Sequence, residues 1–162
     1  MTSAPVETNS AGDAPRDPSR DRPESHQFDF WIGDWIVSDP DGQLLGTNSV
    51  ASGLAGCVLR EAWTGVRGNR GTSVNFHDPA SKQWHQVWTD DSGQVTHSAG
   101  ELRDGGMCFR AQGFGDADGI HHQSTLDFIP NPDGSVRQWF QDSDDGKTWK
   151  TTFDGIYLRA VK

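Results

Sequence analysis

The chain has 162 residues, enough for one domain and too few for two ordinary ones. Only 33% of them are hydrophobic, so apolar area must be concentrated on one face of each element, carried by 7 Trp and 8 Phe. Fourteen Lys and Arg stand against 23 Asp and Glu, a net charge of −9 that repels phosphate backbones and anionic lipid surfaces and argues against nucleic-acid and peripheral-membrane roles.

Residues 1–25 are rich in Ser, Pro, Ala, Asp and Arg and have no hydrophobic periodicity. Such a segment cannot bury enough apolar area to offset the entropy of ordering, so a disordered tail is expected there, ahead of one domain over 26–162. The N-terminus lacks the apolar centre of a signal peptide, and no apolar run approaches the roughly 18 residues that span a bilayer, so a cytoplasmic protein is expected. Phe28, Trp31 and Ile32 have helical spacing, which predicts one short helical turn before the first strand.

From there on, short alternating segments are cut by turn signals. The turns are Asp39-Pro40-Asp41-Gly42, Ser52 to Gly56, Gly68-Asn69-Arg70-Gly71, Asp78-Pro79 and Asp90-Asp91-Ser92-Gly93, then Asp104-Gly105-Gly106, Gly115 to Gly119, Asn131-Pro132-Asp133-Gly134 and Asp142 to Gly146. Gly supplies positive φ, Pro presets φ, and Asp or Asn bonds its own backbone. These nine turns delimit ten candidate strands. Short successive connections favour antiparallel pairing of neighbours, and a ten-strand meander closes to remove its edges. The expected fold is therefore all-β: a single antiparallel up-and-down barrel of about ten strands.

Strand alternation assigns faces. Near 57–64, Leu59, Glu61 and Trp63 share one side; near 83–90, Trp84, Gln86 and Trp88 do. The tryptophan sides bury more area and are taken as interior, which brings Glu61 and Gln86 indoors. Val95, His97, Ala99 and Glu101 form one face, as do Ile120, His122, Ser124, Leu126 and Phe128, and as do Val136, Gln138 and Phe140. Near 72–77, Thr72, Val74 and Phe76 oppose Ser73, Asn75 and His77, and the pattern favours neither side. Large aromatics interleaved with a few inward polar groups match a ligand pocket. The alternative is that the inward polar groups only satisfy one another.

Gly33-Asp34-Trp35 resembles the Gly-x-Trp signature of the calycin superfamily. The longer opening Phe28-Asp29-Phe30-Trp31-Ile32-Gly33-Asp34-Trp35 is similar to that of a bacterial lipocalin-like family. So are Gly71-Thr72-Ser73-Val74-Asn75, Trp84-His85-Gln86-Val87-Trp88 and Asp154-Gly155-Ile156-Tyr157, and the likeness covers about residues 26–160. It implies a calycin barrel in which Trp35 packs across the closed end against a basic residue from the last strand, a place Arg159 occupies. It implies no reaction.

Other motifs carry less. Asp144-x-Gly146-x-Thr148-Trp149 resembles an Asp-box but occurs once, which suits a turn with an anchoring tryptophan better than a propeller blade. The six histidines form no ligand pattern, and adjacent His121 and His122 point to opposite faces. No metal site is expected, and haem held by one histidine is a minor alternative to having no cofactor. Cys57 and Cys108 read as two buried thiols or as one disulfide.

The leading reading is a binding module for a small lipophilic or aromatic metabolite, with Trp63, Asn75, Gln86, Trp88, Gln138 and Tyr157 lining its site. The competing reading is a cofactor-free isomerase, cyclase or decarboxylase in which Glu61, with His97 assisting, is the general acid or base. An ion pair from Glu61 to Arg137 or to a strand beside Arg60 is the structural alternative, and self-association as a homodimer stays open.

Overall fold

The computed structural model describes residues 22–112 and 123–161. Two 3-10 turns, Pro23–His26 and Asp29–Trp31, lead into ten strands. These are β1 (Gly33–Ser38), β2 (Leu44–Gly53), β3 (Val58–Gly65), β4 (Arg70–Asp78) and β5 (Gln83–Asp90), followed by β6 (Val95–Arg103), β7 (Gly106–Gln112), β8 (Gln123–Pro130), β9 (Val136–Ser143) and β10 (Lys150–Arg159). Each pairs antiparallel with its sequence neighbour, and β1 pairs with both β2 and β10, so the sheet closes into a barrel without a free edge. The helical turn appears where the sequence placed it. Pro23 presets φ for the first turn, Pro23–His26. Most of the tail, the Gly115 to Gly119 turn, Ile120, His121 and His122 lie outside the described residues.

The hairpins form because aspartates bind the backbone of their own turns. Asp39 Oδ1 accepts from the N–H groups of Asp41 and Gln43 at 3.0 and 2.8 Å, and Asp90 Oδ1 from those of Ser92 and Gln94 at 3.0 and 3.2 Å. In the Asp-box-like hairpin Asp145 does this work: its Oδ1 accepts from Lys147 and Thr148 N–H at 2.8 and 2.6 Å, which lowers its pKa to about 2. Trp149 there is 37% exposed.

One end of the barrel is plugged by the chain that precedes β1. Phe28 and Trp31 are fully buried, stacked at 4.9 Å, and both rings meet Phe128. Around them pack Trp35, Val37, Leu59, Trp84, Phe109 and Tyr157. Trp35 Nε1 donates to Trp31 O at 3.0 Å, and Trp84 Nε1 to Gln27 Oε1 at 3.2 Å, so the plug is tied by hydrogen bonds as well as by area. The Arg159 guanidinium lies 3.9 Å from the Trp35 ring centroid and donates to the carbonyls of Ile32 and Phe30. It occupies the space a Cβ on Gly33 would need, and Gly33 has φ of +150°, so only glycine fits there.

Candidate functional site

Above the plug, the inward positions of β2 to β5 turn polar. Strand register sets Glu61 opposite Ser73, and Asn75 opposite Gln86, on adjacent ladders. Glu61 is 4% exposed. Its Oε1 accepts from Asn48 Nδ2 at 3.1 Å and its Oε2 from Ser73 Oγ at 2.6 Å. The network continues as Asn75 Nδ2 donates to Ser73 Oγ at 2.9 Å and Gln86 Nε2 to Asn75 Oδ1 at 2.9 Å. On the far wall Tyr157 Oη donates to Gln138 Oε1.

Burial pushes the Glu61 carboxyl up from 4.5 to about 7, because desolvation outweighs the hydrogen bonds from Ser73 and Asn48 that favour the charged form. The same desolvation, with the Glu61 charge added, holds the Tyr157 phenol well above its ordinary value, so it stays protonated. Glu61 therefore sits near the midpoint of its titration at neutral pH, which suits both proton transfer and charge-sensitive binding.

Over this polar floor lie aromatic rings pressed flat on glycines. A Cβ on Gly46 would come within 2.8 Å of the Trp63 ring, one on Gly155 within 2.6 Å of the Phe153 ring, and one on Gly71 would overlap the Trp88 ring. The missing side chains let the indoles lie flat against the wall. Trp63 meets Phe153 edge-on, with centroids 6.0 Å apart. Trp63 and Trp88 are only half-buried, unlike the tryptophans of the plug. At the mouth lies a cavity of about 720 Å³, lined by Thr96, Ala111, Ser124, Phe140 and Asp142 from the inner faces of β6 to β9, by His97 at the rim, and by Lys150 and Thr152 at the start of β10; Trp63, Trp88 and Glu61 are not among its lining residues.

The residues expected inside are mostly there. Glu61, Asn75 and Gln86 are buried in one hydrogen-bonded network, Gln138 and Tyr157 face them as a pair, and Trp63 and Trp88 form the aromatic level above. His97 does not join them. Thr96, Ser98 and Gly100 are the inward residues of β6, so Val95, His97, Ala99 and Glu101 do share a face but the outer one, and His97 is exposed. It borders an external groove of about 490 Å³ with Phe76, His85, Val87, Ala99 and Arg110, and it also lines the rim of the 720 Å³ cavity at the mouth. Arg137 is likewise outside, paired with Asp154 at 2.6 Å, so Glu61 has no ion pair with it.

Sequence reasoning missed Asn48 and Ser73, the two residues that hold the Glu61 carboxylate. Asn48 shares its strand face with buried Val50, which is the signal that places it inside. It also missed Phe153, which alternates with buried Gly155 and Tyr157 and so faces inward, opposite Phe140. Cys57 and Cys108 are both free, and Cys57 is exposed, which corrects the expectation of two buried thiols.

No family model and no curated protein matches the chain. The site has to be judged from its own chemistry. Among the described residues, no group of three or more His, Cys, Asp or Glu could hold a metal ion, and no helix is long and apolar enough to cross a membrane.

Proposed function

We propose that the barrel binds a small, largely apolar or aromatic molecule at its open half, stacked on Trp63 and Trp88 and oriented from below by Glu61, Gln86 and the Gln138–Tyr157 pair. The observation that carries this reading is the glycine-backed pair of half-buried tryptophans above a buried, hydrogen-bonded carboxylate. A barrel evolved only for stability gains nothing from a carboxylate that costs several kcal/mol to bury. The plugged end with Arg159 on Trp35 supports the lipocalin-like resemblance as part of the same reading.

The test is tryptophan-fluorescence quenching across a set of lipophilic and aromatic metabolites. Saturable quenching by at least one member is expected, weakened about tenfold or more in Trp88→Ala, since base-like stacking on one ring contributes about 1–3 kcal/mol. No saturable quenching by any member would overturn the proposal.

A second reading is favoured by one observation, the Glu61 pKa of about 7. The carboxyl could move a proton to or from a bound substrate without a cofactor. In that case Glu61→Gln abolishes turnover and leaves binding of neutral molecules nearly intact; equal loss of both removes the acid–base role.

A further inference from the structure

We infer that the preferred occupant of this site carries a protonated amine on an apolar or aromatic frame, its positive end seated between Glu61 and Asn48. The inference rests on the binding reading above and narrows it to a chemical class.

The floor of the site is short of donors. Asn48 is 3% exposed and its amide nitrogen faces the Glu61 carboxylate, which fixes the orientation of the amide. Its Oδ1 is buried without a hydrogen-bond partner. A buried acceptor left unpaired costs about 1–3 kcal/mol, so the position calls for a donor from outside the protein. The neighbouring Glu61 carboxylate receives one hydrogen bond on each oxygen, both from neutral groups, and has lone pairs left over. No cation pairs with it among the described residues. None of the inward residues of β2 to β5 is Lys or Arg. An ammonium group has three donors and no acceptor, so it can serve Asn48 Oδ1 and Glu61 together.

The surroundings select the same charge. Indole faces attract cations, most strongly where water is excluded, and Trp63 and Trp88 supply two such faces next to the floor. The mouth carries Asp142, Asp144 and Asp145 against Lys150, and the chain as a whole has a net charge of −9. Its field draws a cation inward and opposes a carboxylate. A neutral alcohol could supply one donor but would leave the Glu61 charge without a counter-ion.

Isothermal calorimetry with three matched probes at pH 8 tests this: 2-(1-naphthyl)ethylamine, 2-(1-naphthyl)ethanol and 1-naphthylacetate, each with the full chain and with Glu61→Gln. The amine is expected to bind at least about tenfold tighter than the alcohol, with the acid weakest, as charge-assisted bonds are roughly twice as strong as neutral ones. In Glu61→Gln the amine's advantage over the alcohol should fall to within about threefold. Alcohol or acid binding as tightly as the amine in the unaltered protein overturns this inference and leaves the binding reading in place. An amine advantage that survives Glu61→Gln overturns the assigned seat. Failure of all three probes to bind overturns this inference, and the binding reading is then decided by the quenching screen.

Discussion

The two halves of the barrel share one hydrogen-bonded sheet and differ only in what points inward. At the closed end Phe28, Trp31, Trp35, Trp84 and Tyr157 are each 2% exposed or less and fill the space between strands. At the open end the inward positions are Gly46, Gly71, Ser73, Asn75 and Gln86, with Trp63 and Trp88 half-exposed over them. The ladder can be continuous because backbone pairing is indifferent to side chains. Stability is therefore concentrated in one half, and the other is released to carry polar groups that a packed core would exclude.

The plug should be the costlier half to damage. Trp31→Ala removes a fully buried ring against Phe28 and Phe128 and is expected to cost about 3–5 kcal/mol, measured by urea unfolding. A loss no larger than that of Trp88→Ala would break the comparison.

The polar half should show itself through pH. Glu61 has a folded pKa of about 7 against 4.5 when unfolded, so between those values the folded state holds a proton that the unfolded state has released. Its contribution to stability is complete below about 4.5, declines as pH rises, and is gone above about 7, a change of about 3 kcal/mol at most. Glu61→Gln should flatten that slope in denaturation curves taken from pH 4 to 8, while Trp31→Ala should lower the curve without changing its shape.

A smaller effect is expected at the wall between the mouth and the floor. Gly71→Val places a side chain where the Trp88 ring lies and turns the indole toward the mouth. A stability loss of about 1–3 kcal/mol should accompany a larger relative loss of ligand quenching. Unchanged quenching would mean that the ring position is irrelevant to the site. Smaller still, His97→Ala at the exposed rim should alter stability by no more than about 0.5 kcal/mol.

The fold was legible because its information is local. Each hairpin carries its own Asp, Asn, Pro or Gly, and the ten strands follow from counting turns. The inward placement of Glu61 and Gln86 was legible because each alternates with tryptophans on its own strand. Strand β4 resists the same logic: Val74 and Phe76 are 41% and 36% exposed, while Ser73 and Asn75 are buried to serve Glu61 and Gln86. Hydrophobicity there does not decide between the faces because the inner one is specified by hydrogen bonding to neighbouring strands, which alternation within one strand does not encode. His97 was misplaced for a related reason: the inner face of β6 is Thr96, Ser98 and Gly100, small residues without an area signal. Phe153 shares the inner face with Gly155 and Tyr157, a placement that alternation counted back from Tyr157 carries.

The most direct test is a carbon-13 NMR titration of the Glu61 carboxyl, assigned by its disappearance in Glu61→Gln. A midpoint near 7 is expected, falling when an amine is bound. A midpoint at the ordinary 4.5 would place that carboxylate in water and contradict the buried, polar floor on which the functional account depends.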